Sequence, residues 1–312
     1  MSAPAVTTVL VVGATGFIGR QAADRLGGPG FRVLGTSTTG DHTDLACDLL
    51  EPASIERALK RIDPDAILVA AGNSSVGAAW KEPEDNYLVN TTGPFNLLEA
   101  VRLHKPSARV TLISSASVYG PPESPGDLPF IESSPVRPAS PYGASKAAAE
   151  VLAGQYNRGY GLKVAIARVF NQIGPGQSDN QAPAEFAREI ALAEDRGVRK
   201  LDLQVGNPGS ERDFTDVRDS ARALAAIVGG EEAGTFNICS GRGIRLDAIV
   251  DGLAAHTPVA IGIARTPERA HPVDVPLVTG SAERLKEATG WQPEIPLWIS
   301  LLDLLDDWRR RV

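Results

Sequence analysis

The amino-acid sequence predicts an α/β fold built on a doubly wound parallel sheet, with a smaller mixed α/β lobe attached. Three observations carry the prediction. A buried strand at 9–12 runs through a glycine turn into a helix; strand and helix patterns alternate from there to about residue 170; and several strands are apolar throughout, as when helices cover both faces of a sheet.

The glycine turn comes first. In Gly13-Ala14-Thr15-Gly16-Phe17-Ile18-Gly19, Gly13 allows a tight turn, Gly16 lets the backbone approach an anion, and Gly19 lets the helix pack on the strand. Free N–H groups at the helix start then face a pyrophosphate, so the stretch predicts a dinucleotide cradle of the Rossmann type. Residues 31–36 read as the second strand and 44–49 as a third that ends in an acid. Residues 52–62 form a helix with Ile55, Ala58 and Leu59 on one face, and 65–72 a continuously apolar strand. Two long helices follow at 85–104 and 141–160, with strands at 110–115 and 164–169. Beyond Asn171 the texture changes to short strands, Pro-rich loops and helices, while 217–228 reads as an apolar helix that returns to the sheet. The expected division is a dinucleotide-binding domain over 1–170, with 213–240 returning to it, and a substrate lobe over 171–212 and 241–312.

The chain of 312 residues is 43% hydrophobic, enough for a full core, and its net charge of −7 argues against non-specific nucleic-acid binding. Cys47 and Cys239 stand far apart, and His42, His104, His256 and His271 show no ligand spacing, so neither a disulfide framework nor a metal site is expected. No apolar run reaches membrane-spanning length and the start lacks a basic leader, which predicts a cytoplasmic protein.

Tyr142 and Lys146, in Tyr-Gly-Ala-Ser-Lys, are four apart and share a helix face. A phenol becomes an acid/base near neutral pH when a neighbouring ammonium stabilises its phenolate and draws its pKa down, and the same lysine is placed to hold ribose hydroxyls. Ser115 closes the preceding strand and Asn90 lies in the helix before it, so the topology gathers them at one sheet edge.

With these residues the chain resembles the extended short-chain dehydrogenase/reductase family, the NAD(P)-dependent nucleotide-sugar epimerases, dehydratases and reductases, over essentially its full length. The resemblance rests on the three glycines, on Tyr142 and Lys146, on Asn90-Thr91-Thr92-Gly93-Pro94-Phe95, on Ser114-Ser115-Ala116-Ser117-Val118-Tyr119-Gly120, and on Phe170-Asn171. It implies that Ser115 holds the reacting sugar oxygen, that Tyr142 transfers the proton and that Lys146 supports it. The implied cofactor site comprises Gly13, Thr15, Gly16, Phe17, Ile18, Gly19, Thr36, Ser37, Thr38, Asp48, Leu49, Ala70, Ala71, Gly72 and Asn90, with Tyr142 and Lys146. The implied substrate residues are Ser75, Ser115, Ser117, Asn171, Arg212 and Arg269, around a nucleoside-diphosphate sugar. A homodimer through a four-helix bundle is also implied, and the two long helices carry apolar residues on more than one face: Leu88, Leu97, Leu98 and Val101 in one, Ala147, Ala148, Val151 and Leu152 in the other.

Motifs beyond Phe170, notably Asn171-Gln172-Ile173-Gly174-Pro175-Gly176 and Arg212-Asp213-Phe214-Thr215-Asp216-Val217, look most like the GDP-6-deoxy-4-keto-D-mannose reductases and their dehydratase relatives. Arg212 is expected on the diphosphate, whose oxygens a guanidinium fork matches; the alternative is a structural pairing with Asp213 or Asp216. His271 stands where those reductases carry arginine, so Arg269 or Arg265 is expected to supply that contact. Ser117 replaces the acid of the 4,6-dehydratases, and a serine hydroxyl cannot take the C5 proton. No acid stands at the end of the second strand, 35–39, to bind the 2′-hydroxyl of NAD, although Asp41 and Asp44 lie close by; Thr36, Ser37 and Thr38 offer donors to a phosphate, so NADP(H) is favoured and NAD(H) stays open. The reaction expected is reduction of a nucleotide-linked 4-keto-6-deoxy sugar. The alternatives are a 4-epimerase with retained NAD and a non-catalytic dinucleotide-binding sensor.

Overall fold

The computed structural model of the chain describes residues 6–266 and 275–312. β1 (Thr7–Val12) is buried in its C-terminal half and leads into α1 (Phe17–Leu26), then β2 (Phe31–Ser37) and the short β3 (Leu45–Ala46). α2 (Pro52–Ile62) starts on a proline whose missing N–H costs nothing there, and it ends on Asp63 in the left-handed conformation. β4 (Ala66–Val69) is followed by α3 (Val76–Lys81), α4 (Pro83–Tyr87) and, after a wide π turn at Leu88–Thr92, α5 (Gly93–His104). β5 (Arg109–Ser115), α6 (Pro141–Tyr160) and β6 (Val164–Val169) complete the run of strand and helix.

Two sequence expectations change here. The strand expected over 44–49 shrinks to two residues because acids at its ends bond locally: Asp44 accepts the Gly35 N–H at 2.7 Å and Asp48 the Leu50 N–H at 2.9 Å. The helix expected over 85–104 begins at Pro83 and is broken by the π turn. Pro94 cannot donate to the carbonyl four residues back, which interrupts the α-helical ladder and leaves Asn90 within the widened turn.

Past β6 come β7 (Asn171–Ile173), α7 (Ala182–Asp195), β8 (Lys200–Val205), β9 (Glu211–Asp216), α8 (Val217–Gly229) and β10 (Gly234–Ile238). The chain closes with β11 (Gly243–Arg245), α9 (Leu246–Ala254), β12 (Ala260–Arg265), β13 (Leu277–Val278), α10 (Glu283–Thr289) and α11 (Leu297–Arg309). The large sheet has seven strands in the order β10-β6-β5-β4-β1-β2-β3, all parallel. Its order reverses between β1 and β4, the switch point at which ligands bind in open α/β sheets. One core lies on the face covered by α2, α5 and α6 (Leu10, Ile55, Leu97, Val101, Ile166); the other lies under α1 and α8 (Val9, Val11, Leu26, Leu224, Phe236). A third core, with Phe186, Ile190, Leu203, Leu253 and Leu304, joins α7, α9 and α11 to β8 and β9. There β9 pairs with β7, β11 and β13, and β8 pairs with β12.

Candidate active site at the carboxyl edge of the sheet

At the end of β1 the backbone leaves no room for side chains. Gly13 adopts φ +85°, and a Cβ there would meet the Ala71 N at 2.6 Å; one on Gly19 would meet the Gly13 carbonyl at 2.1 Å. The Gly13 and Ala14 N–H groups donate to the Thr36 carbonyl at 3.0 and 2.9 Å, tying the turn to β2. α1 starts at Gly16 with no side-chain cap and no acid in its first turn, so its leading N–H groups face outward to an anion. A cradle that added side-chain atoms would fill, set at a switch point, fits a dinucleotide diphosphate.

Of the three hydroxyls after β2, Thr36 is withdrawn as a phosphate donor. It is fully buried, and its hydroxyl points back toward the Val11 carbonyl at 3.5 Å. Ser37 accepts the Gly40 N–H at 2.9 Å inside its own turn, which leaves Thr38 exposed. Asp48 caps Leu50, while Leu49 is buried against Gly93, whose Cβ position lies 3.1 Å from it.

At the end of β5 the site is made of side chains. The Ser115 hydroxyl accepts the Ser117 N–H at 3.1 Å and lies beside the Tyr142 phenol. Tyr142 and Lys146 stand one turn apart on α6, whose N-terminus is capped by Ser140 and packs so closely on the 116–118 turn that a Cβ on Gly143 would come 2.4 Å from the Ser117 carbonyl. Lys146 Nζ donates to the Ile113 carbonyl at 3.1 Å and lies 3.2 Å from where a Gly72 Cβ would be. Burial pushes the Tyr142 phenol above its ordinary pKa, opposed by the neighbouring Ser115 hydroxyl, and burial pushes Lys146 down to about 8, opposed by Glu150. The lowering of the tyrosine by the lysine expected from the sequence is therefore not what governs the phenol here; Lys146 is engaged with the β5 backbone instead.

Asn90 is braced from four sides. Its carboxamide accepts the Asn73 N–H at 2.9 Å and donates to the Asn73 carbonyl at 2.9 Å, to Asn86 at 3.1 Å and to Ser145 at 3.3 Å. Asn73, Asn86 and Ser145 escaped sequence reasoning because short polar residues in helices and loops carry no pattern of their own.

The substrate residues are more scattered. Ser75 caps α3 by accepting the Ala78 N–H at 3.1 Å. Asn171 is exposed at the start of β7, just past β6, and Arg212 is on the neighbouring β9, whose Phe214 pairs with Asn171. Arg212 Nη1 donates to the Glu211 and Val275 carbonyls at 2.8 and 2.6 Å. Asp213 is occupied by the N–H groups of Ser240, Gly241 and Gly280, and Asp216 by Arg218 and Ser300. Arg265 is exposed at the end of β12; Arg269 and His271 lie outside the described residues. A contact that sequence reasoning missed joins α1 to the loop after β7, where Gln21 donates to the Pro175 carbonyl at 3.4 Å.

Fold and site together define a nucleotide-dependent enzyme. The chain belongs to the NAD dependent epimerase/dehydratase family, whose model matches residues 9–239. It is 35% identical to the GDP-6-deoxy-D-mannose reductase of Pseudomonas aeruginosa, over 97% of this chain and 98% of that one. The solved structure of RMD from Pseudomonas aeruginosa complexed with NADPH superposes with a TM-score of 0.88 at 33% identity, covering 98% of this chain and 100% of that chain. A Thermus thermophilus UDP-glucose 4-epimerase in complex with NAD gives 0.87 at 27% identity, covering 98% and 100%.

Proposed function

We propose that the chain reduces the 4-keto group of a nucleoside-diphosphate 4-keto-6-deoxy sugar with NADPH, NADH being the lesser donor. The observation that carries this reading is Ser115 beside the Tyr142 phenol with Lys146 one turn away, at the same sheet edge as a turn that fits a dinucleotide. The reductase similar over nearly its full length and the NADPH complex support the choice of substrate and cofactor. Gly13, Gly16 and Gly19 with the start of α1 would hold the diphosphate, and Ala70, Ala71, Gly72 and Asn90 would line the nicotinamide half. When bound, the nicotinamide supplies the hydride.

Tyr142 gives its proton to the sugar oxygen as negative charge develops there, and Ser115 holds that oxygen by a hydrogen bond. The cost of leaving a buried phenolate falls on Lys146, whose ammonium is the nearby cation on the same helix face. Asn171 and Arg212 would hold the sugar diphosphate. Ser117, within a short turn and hydrogen-bonded through its N–H to Ser115, offers no acid for dehydration.

We read residues 1–170 with 213–240 as the cofactor-binding domain and the remainder as the substrate lobe. The third core and the pairing of β10 with β6 support the division. We also read the protein as a cytoplasmic homodimer through α5 and α6. Leu97, Leu98 and Val101 belong to the core, but Leu88, Phe95, Leu103, Val151 and Tyr160 are exposed on the outer face of the same helices, which supports a four-helix contact.

The deciding experiment offers purified protein a nucleotide-linked 4-keto-6-deoxy hexose with NADPH or NADH. Loss of reduced-nicotinamide absorbance is expected, faster with NADPH. Interconversion of 4-epimers without added cofactor would show the epimerase instead, and binding without turnover a sensor. Light scattering at micromolar concentration should give a dimer, and a monomer would refute the helix contact.

A further inference from the structure

We propose that Glu150, clamped by Arg168, is a positioning residue of this reaction: its carboxylate is the charge that keeps Lys146 an ammonium, and through Ser114 it locks the strand end that carries Ser115. The inference rests on the reading of Tyr142 and Lys146 as the proton-handling pair, and it assigns a role to two charges that the reaction itself does not touch.

Tyr142, Lys146 and Glu150 follow one another at intervals of four along α6 and are all buried. At that spacing they form one stripe on the helix, aimed at β5. The stripe meets three consecutive β5 residues: Lys146 Nζ bonds the Ile113 carbonyl at 3.1 Å, the Ser114 hydroxyl donates to Glu150 Oε1 at 2.5 Å, and Tyr142 lies beside Ser115. Glu150 is thus placed to act on both members of the site, on the lysine by charge and on the serine by holding its neighbour.

Arg168, from the middle of the apolar strand β6, pairs with this buried carboxylate. Its Nε and Nη2 reach Glu150 at 3.0 and 2.7 Å, and both side chains are under a tenth exposed. The guanidinium is held in turn: Nη1 donates to the Tyr119 hydroxyl at 2.9 Å and to the Glu132 carbonyl at 3.1 Å, and the Tyr119 hydroxyl donates to Asn237 at 2.7 Å. Tyr119 lies two residues beyond Ser117, so the network also pins the turn that follows Ser115.

Around Lys146, the groups from each packed element are Tyr142 and Glu150 on its own helix, the Ile113 carbonyl on β5, Gly72 after β4 and Asn90 in the π turn. Glu150 is the one negative charge in this set, and its effect on Lys146 opposes burial. Arg168 acts on this set through Glu150, which its Nη2 reaches at 2.7 Å.

The test reads Lys146 directly by NMR of protein carrying 13C-labelled lysine, with the resonance assigned by loss in Lys146→Arg. Glu150→Gln keeps the shape and the hydrogen-bonding reach but removes the charge, so the Lys146 midpoint should fall by about one pH unit, whereas Glu150→Asp should stay near wild type. Glu150→Gln strands the Arg168 charge; if that prevents folding, the double variant Glu150→Gln/Arg168→Gln leaves no unpaired partner charge and should still show a fall. The alkaline limb of kcat/KM should move with the midpoint. A Lys146 titration unchanged in Glu150→Gln, or in the double variant, would overturn the proposal. Failure of the keto-sugar assay with a lowered Lys146 midpoint would instead overturn the reductase reading and leave this one standing.

Discussion

β1 and β5 are parallel strands of one sheet, separated only by β4 and ending at the same edge, yet the loops that follow them are built in opposite ways. After β1 the chain strips atoms away: Gly13, Gly16 and Gly19 leave a turn of backbone with no titratable side chain in it. After β5 it adds them: Tyr142, Lys146, Glu150 and Arg168 are buried around the half-buried Ser115, with Lys146 and Glu150 hydrogen-bonded to their surroundings. A diphosphate brings its own charge and needs only donors and space, so backbone suffices. A proton in transit needs groups whose charge is set by surroundings, and that demands burial and partners.

The two halves should therefore break separately. Tyr142→Phe keeps the ring and removes the proton, so turnover should fall by about a thousandfold while the dissociation constant for NADPH barely moves. Near-normal turnover would end the acid/base assignment. Gly19→Ala should do the reverse. Its methyl would lie 2.1 Å from the Gly13 carbonyl, a backbone atom that cannot step aside, so the turn must shift. NADPH binding should weaken by roughly thirtyfold, about 2 kcal/mol. Unaltered affinity by calorimetry would show that the cradle is not where the cofactor sits.

Lys146→Met tests what the charged half costs the fold. Lys146 is held down to about 8 by burial, so between there and the ordinary lysine value the unfolded chain binds a proton that the folded chain lacks. Stability contributed by this site accordingly rises with pH across that window, and the burden is fully present below it. The methionine variant should be more stable than wild type at pH 7 by about 2 kcal/mol, after subtracting the lost bond to the Ile113 carbonyl. The gain should fade as pH climbs toward 10, and turnover should drop throughout. A melting temperature at or below wild type at pH 7 would mean that Lys146 is not a burden to the fold.

The same contrast explains what could be read from the sequence. The sheet was legible because continuous apolar runs and glycine spacing are local signals, and so was the four-residue interval of Tyr142 and Lys146. Asp44 and Asp48 misled because their side chains bond to backbone N–H groups, of Gly35 on β2 and of Leu50, which shortens the strand they seem to bound. The Arg212 contact with the Val275 carbonyl spans 63 residues and has no local signature. Arg168 did leave a trace: an arginine inside Val164-Ala165-Ile166-Ala167-Arg168-Val169 must be buried and must have a partner, and Glu150 is the acid one helical turn past Lys146.

The smallest effect concerns the 2′-phosphate, where the uncharged half must tell NADPH from NADH. With Thr36 turned inward, Ser37 spent on its own turn and Thr39 donating to Asp41 at 2.8 Å, Thr38 is the exposed hydroxyl left at the end of β2. Donation from one partly solvated hydroxyl to a phosphate is worth about 1 kcal/mol, so Thr38→Ala should weaken NADPH by about fivefold and leave NADH unchanged. Selectivity that rests on one neutral donor should also be shallow in the wild type, with both cofactors oxidised at measurable rates. Equal loss for the two cofactors would place the effect in loop structure instead. No loss for either would move the 2′-phosphate away from this strand end and leave its recognition to a residue outside the 36–44 segment.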